Sequence, residues 1–123
     1  MILKNIAVFI AEDEPLIAIE LTHAVEAACG QIVGPAASLK AADQLIDAST
    51  PGVALLDLNL IGGDTINLAT GFIERGIPVV FYTGVSLPDE FQERYPDVPI
   101  YTKPTMSETL IKAIRSEWDR AAA

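Results

Sequence analysis

Between Ile6 and Trp118 the chain alternates short, unbroken apolar runs rich in β-branched residues with longer stretches whose apolar residues recur at helical spacing. Unbroken apolar runs mark strands buried on both faces, and their alternation with amphipathic stretches is the pattern of βα units around a parallel sheet. Ile6 to Ala11 reads as the first strand. From Pro15, residues Leu16, Ile17, Ile19, Leu21, Ala24, Val25 and Ala28 predict a helix that ends at Gly30. Gln31 to Ala36 is a weaker second strand, and Ser38 can cap a helix through Ala41, Ala42, Leu45 and Ile46. The turn Thr50-Pro51-Gly52 leads into a third strand, Val53 to Leu56. Gly62-Gly63 then breaks the chain, and Asp64 can cap a third helix through Ile66, Leu68, Ala69 and Phe72 to Gly76. Pro78 to Tyr82 is a fourth strand, Leu87 to Tyr95 a short helix, Pro99 to Tyr101 a fifth strand, and Ser107 to Trp118 a last helix.

These five βα units take up essentially all 123 residues, so a single α/β domain over residues 1–123 is expected. Its apolar runs are much shorter than the roughly 20 residues that span a bilayer, and no signal-like segment precedes them, so a soluble, cytoplasmic protein without membrane contact is expected. Cys29 is the one cysteine, which removes an internal disulfide or a cysteine-rich metal site. It is expected to be a small buried hydrophobe near a helix end. Acidic residues outnumber basic ones 17 to 8, and this net charge of −9, with no basic cluster, argues against direct binding of nucleic acid.

Chemistry in an open parallel sheet sits beyond the carboxyl ends of its strands. The first strand ends in Glu12-Asp13-Glu14, the third in Asp57, the fourth in Thr83-Gly84 and the fifth in Thr102-Lys103-Pro104. Glu12, Asp13 and Asp57 would repel one another unless a cation lay among them, and hard oxygen ligands suit Mg²⁺. A carboxylate beside Mg²⁺ can act as nucleophile on phosphorus, with Thr83 donating a hydrogen bond to one phosphoryl oxygen and Lys103 pairing with another. Gly84 would leave room for the group. Singly, Glu14 and Asp64 read as ordinary helix-cap or loop residues. His23 falls on the first helix of an α/β pattern, and reads as a surface or half-buried residue.

In this order and spacing, Glu12-Asp13, Asp57 within Leu55-Leu56-Asp57-Leu58-Asn59-Leu60, Thr83-Gly84 and Lys103-Pro104 make the chain resemble a response-regulator receiver domain. The resemblance implies a doubly wound (βα)5 flavodoxin-like, CheY-like three-layer sandwich with strand order 2-1-3-4-5. It implies a reversible aspartyl phosphate on Asp57, and Mg²⁺ held by Asp13, Asp57 and the backbone carbonyl of Asn59, with Glu12 reaching the metal through water. The partners it implies are a sensor histidine kinase or histidine phosphotransfer protein and a downstream protein target. Chemistry would be confined to the domain's own phosphorylation and dephosphorylation, so the chain is not expected to be an enzyme acting on other substrates. Where such domains dimerise, they use the face of the fourth helix, fifth strand and fifth helix. Val33 to Ser38 and Pro78 to Val85 also resemble the FATGUY class of stand-alone receivers, which work with HWE and related bacterial histidine kinases. In that comparison Tyr82 replaces a small residue and Ser86 a tyrosine.

The same residue types serve haloacid-dehalogenase-type phosphatases, but those need a second acid two residues after the nucleophile, where this chain has Asn59. A phosphorylation-independent interaction module on this fold would be favoured by loss of Asp57, Thr83 or Lys103, and all three are present. The switch position three residues before the lysine, commonly aromatic in receivers, is Ile100 here, and the neighbouring Tyr101 should face the other way. Phosphorylation is therefore expected to reorder the segment from Val85 to Tyr95, with Gly84 as its hinge. Asn59 and Val85, two residues past Asp57 and Thr83, should overhang the path of an attacking water. The apolar Val85 cannot orient that water, so the phosphoryl group is expected to persist. Val85→Gln or Val85→Glu should shorten its half-life in a timed assay of phosphoryl loss, and an unchanged half-life would contradict this.

Overall fold

The apolar runs form β1 (Ala7–Ala11), β2 (Gln31–Ala36), β3 (Val53–Leu56), β4 (Val79–Thr83) and β5 (Ile100–Thr102) in the computed structural model, which describes residues 2–123. All pair in parallel in the order β2-β1-β3-β4-β5. Between them run α1 (Pro15–Ala27), α2 (Leu39–Ala48), α3 (Ile66–Glu74), α4 (Asp89–Arg94) and, last, α5 (Ser107–Ala122).

Because side chains alternate across a strand, each buried run feeds two cores. Val8, Ile10, Val53, Leu55, Val80 and Tyr82 pack with Leu21 and Val25 of α1 and Leu110 and Ile114 of α5. Phe9, Ala11, Ala54, Leu56, Val79 and Phe81 pack on the other face with Ala42 of α2, Phe72 of α3 and Phe91 of α4. The result is the three-layer, doubly wound, flavodoxin-like α/β arrangement that the alternation predicts. Chain direction across the sheet reverses between β1 and β3, which opens a crevice at their carboxyl ends.

Local chemistry explains where the elements stop. Ser38 caps α2 by accepting from the Ala41 N–H at 3.1 Å. Leu87 does not join α4, which begins after Pro88, because a residue preceding proline is driven out of helical conformation. At the end of α1, Gly30 N–H donates to Val25 O and Cys29 N–H to Glu26 O, both at 2.9 Å, the paired bonds of a Schellman motif. Cys29 occupies the left-handed position of that motif, at φ 67°, and its side chain is exposed, contrary to the buried position expected for it. Gly30 follows because a Cβ there would lie 2.7 Å from Val25 Cγ1.

A feature absent from the sequence reading is a short antiparallel hairpin of Asn59–Leu60 with Gly63–Asp64. Its tip is tied to the segment before α2, with Ile61 N–H donating to Ala37 O at 3.1 Å and Leu39 N–H to Ile61 O at 3.0 Å. Gly62 and Gly63, at φ 104° and 145°, make the turn.

Phe72 is 1% exposed with its ring 5.2 Å from that of Phe9. Phe72→Ala should cost about 3–5 kcal/mol in urea denaturation. Leu16→Ala, at a position 82% exposed, should change stability by less than about 0.5 kcal/mol. Comparable costs at the two positions would contradict the two-core packing.

Candidate functional site

The sheet delivers its polar residues by continuing its hydrogen bonding just past the strand ends. Glu12 N–H donates to Ala36 O, Asp57 N–H to Ala11 O, and Lys103 N–H to Thr83 O, each at 2.9 Å. Glu12, Asp57 and Thr83 are buried, Asp13 and Lys103 half-buried, and Glu14 exposed. One carboxylate oxygen from each of Glu12, Asp13 and Asp57 lies within 4.8 Å of the others.

Lys103 is the cation among them. Its Nζ lies 2.8 Å from Asp57 Oδ2, 2.9 Å from Glu14 Oε2 and 2.9 Å from Glu12 Oε1. The contacts to Asp57 and Glu14 are hydrogen bonds, whereas Glu12 Oε1 is held by charge alone and has no hydrogen-bond partner among the described residues. Burial pushes the Glu12 carboxyl up from 4.5 to about 7, although Lys103 and the Glu14 N–H, which donates to Glu12 Oε2 at 3.2 Å, both favour its anion. Burial works against the charge of Lys103 too, but its hydrogen bonds to Asp57 and Glu14 and the nearby charge of Glu12 hold it above the ordinary lysine range. A buried carboxylate oxygen without a hydrogen bond, in a cluster where carboxylates outnumber the cation, fits a hard divalent ion such as Mg²⁺.

The remaining expected residues lie around this cluster. Asn59 stands in the hairpin, exposed, two residues beyond Asp57. Thr83 Oγ1 accepts from the Val85 N–H at 3.3 Å, so its hydroxyl is turned toward its own loop. A Cβ on Gly84 would meet no neighbouring atom within 4 Å, so packing alone does not demand glycine there. Gly84, Val85, Gln92, Ile100 and Thr102 border a cavity of about 220 Å³. Ile100 faces that cavity, while Tyr101 packs toward α1 and α5 on the opposite face.

Three residues matter here that the sequence reading passed over or gave no site role. Thr65, fully buried, donates from Oγ1 to Asp57 O at 2.7 Å, and its N–H donates to Leu58 O at 2.8 Å. The bend carrying Asp57 is thereby fixed to the start of α3. The Tyr82 hydroxyl accepts from Thr105 N–H at 3.2 Å and donates to Thr105 O at 3.3 Å, and Lys103 Nζ lies 5.6 Å from its ring centroid. The third is Glu14, whose side chain makes no capping bond to α1 and reaches Lys103 instead. Asp64 does bond the helix start, its Oδ1 accepting from Ile66 N–H at 3.0 Å.

Raising Glu12 toward 7 has a signed consequence. The unfolded chain ionises this carboxyl near 4.5 and the folded chain only near 7. Folding therefore loses stability as pH rises through that interval, and the loss levels off above it. In metal-free protein the Glu12→Gln variant should lack this loss, so its stability relative to the parent should rise between pH 5 and 8, by on the order of 3 kcal/mol. Urea denaturation in EDTA measures the difference, and a flat difference would contradict the burial cost assigned to Glu12.

No protein-family model matches this chain, and no curated protein matches it. Solved structures do. The receiver domain of a Francisella response regulator, 1452, superposes with a TM-score of 0.80 at 22% identity, covering 94% of this chain and 98% of that one. A CheY-like response regulator receiver domain protein from Methanospirillum hungatei JF-1 gives 0.84 at 18%, covering 98% and 97%. The signal receiver domain of a modulated diguanylate cyclase from Desulfovibrio desulfuricans G20 gives 0.82 at 24%, covering 95% and 96%. Sequence identities this low speak for architecture, and the architecture of this chain is the CheY-like fold of response-regulator receiver domains.

Proposed function

We propose that this chain is a phosphoryl-accepting receiver domain of a two-component or phosphorelay system, with Asp57 as the acceptor. The observation that carries the reading is the Lys103 ammonium at 2.8 Å from Asp57 Oδ2, inside a cluster with Glu12 and Asp13 at the switch point of the receiver fold. The donor is a phosphohistidine on a sensor kinase, HWE class included, or on a histidine phosphotransfer protein in the cytoplasm. A carboxylate oxygen of Asp57 forms the new P–O bond as the P–N bond breaks. The electron pair leaves on the imidazole nitrogen, which gains a proton. Such transfers need mainly alignment and charge neutralisation.

Each neighbour has one task. Lys103 pairs with a phosphoryl oxygen. The Thr83 hydroxyl, whose oxygen accepts from Val85 N–H, keeps its own O–H to donate to another. Gly84 leaves the approach open. Glu12, Asp13, Asp57 and the Asn59 carbonyl would hold Mg²⁺, which offsets the charge of carboxylates and phosphoryl oxygens together. Output then passes through protein contacts, and the acidic surface, at a net charge of −9, favours basic protein partners over nucleic acid.

Incubation with acetyl phosphate and Mg²⁺ should add about one phosphoryl mass by intact mass spectrometry. Asp57→Asn and EDTA should each abolish the gain. Folded protein that gains no mass would overturn the reading.

A further inference from the structure

Lys103 has three carboxylate oxygens within 2.9 Å, those of Asp57 and Glu14 in hydrogen bonds, so its positive charge is shared among them before any phosphoryl group arrives. A phosphoryl oxygen on Asp57 takes over the contact of Asp57 Oδ2, because the phosphorylated carboxyl carries no charge of its own, and it then competes for Lys103 with Glu12 and Glu14. These two competitors are unequal: the side chain of Glu12 is 1% exposed, whereas that of Glu14 is 59% exposed. Stripping Lys103 from a buried carboxylate leaves an uncompensated charge out of water, while an exposed carboxylate exchanges the ammonium for water at little cost.

We propose that Glu14 is a displaceable latch on Lys103, competing with a phosphoryl oxygen for the ammonium and thereby weakening the hold of the site on that group. The proposal rests on the reading of Asp57 as phosphoacceptor. Glu14 is suited to the part because its backbone is anchored and its side chain is not. Its N–H donates to Glu12 Oε2 at 3.2 Å and its carbonyl accepts the Ala18 N–H at 2.9 Å, as the first bond of α1. The carboxylate contacts Lys103 as its single charged partner among the described residues. Release therefore needs only side-chain rotation into solvent. Glu14 is a positioning residue in this scheme, acting through Lys103.

The test is a beryllofluoride titration, as a mimic of the aspartyl phosphoryl group, at saturating Mg²⁺, with the Glu14 carboxyl followed by ¹³C resonance. Glu14→Gln should bind about two- to fivefold tighter than the parent, the range expected for loss of one exposed competing ion pair. Glu14→Asp keeps the charge but is one methylene too short to hold Lys103 equally well, so it should resemble Glu14→Gln. In the parent, the Glu14 carboxyl should move to a solvent-like shift as beryllofluoride binds. Tighter binding by Glu14→Gln with parent-like binding by Glu14→Asp would assign the effect to bulk charge and overturn the latch. So would unchanged affinity in both variants, or a Glu14 signal that stays fixed. Failure of the parent itself to bind beryllofluoride would instead overturn the phosphoacceptor reading on which the latch rests.

Discussion

A lysine ammonium set between two buried carboxylates organises the carboxyl edge of this sheet. Glu12 and Asp57 leave the sheet at adjacent strand ends, on backbones fixed by Asp57 N–H to Ala11 O and Glu12 N–H to Ala36 O, and both residues are buried. Two such charges side by side repel, and burial raises the cost of each. Lys103, brought by the strand on the far side of β4, meets both at under 3 Å. The compensation is incomplete, since Glu12 Oε1 has no hydrogen bond among the described residues and its carboxyl is pushed up to about 7. A site left short of positive charge, on the crevice of a doubly wound sheet, fits a hard divalent cation.

The surrounding fold keeps this arrangement from relaxing. Strands buried on both faces leave their polar ends as the one place where charge can collect. Thr65 fixes the bend after Asp57 by bonding the Asp57 carbonyl, and the Tyr82 hydroxyl binds both backbone polar groups of Thr105, just past Lys103. Neither residue need touch a substrate to matter: each holds the chain on one side of the ion pair. The Val85 side is looser, with an exposed loop and an open space beside Gly84.

Much of this was legible in the residues, for identifiable reasons. β3 starts and stops where its apolar run does, because burial on both faces leaves no polar residue inside it. The strand-end residues Glu12, Asp57, Thr83 and Lys103 could be found because parallel topology forces strand ends to one edge. What escaped depends on geometry that periodicity does not encode. Two-residue strands carry no period, so the Asn59–Leu60 hairpin was invisible. Cys29 was misplaced because the left-handed position of a helix end points its side chain outward, although its composition suggests burial. Glu14 looked like any acid at a helix start, and only the position of Lys103 across the crevice gives its carboxylate a partner. Thr65 carried no signal beyond its place next to Asp64, since a buried hydroxyl bonded to a backbone carbonyl reads in sequence as an ordinary loop threonine.

As a receiver site, the pocket around Lys103 would take a phosphoryl group on Asp57 with Mg²⁺ among the acids. A crystal structure with Mg²⁺ and beryllofluoride addresses it most directly. The account predicts beryllium bonded to an Asp57 carboxylate oxygen, fluorines contacted by Lys103 Nζ and Thr83 Oγ1, and the metal ligated by Asp13 and Asp57. Well-ordered crystals with Asp57 unmodified and Lys103 still bridging Glu12, Glu14 and Asp57 would contradict it.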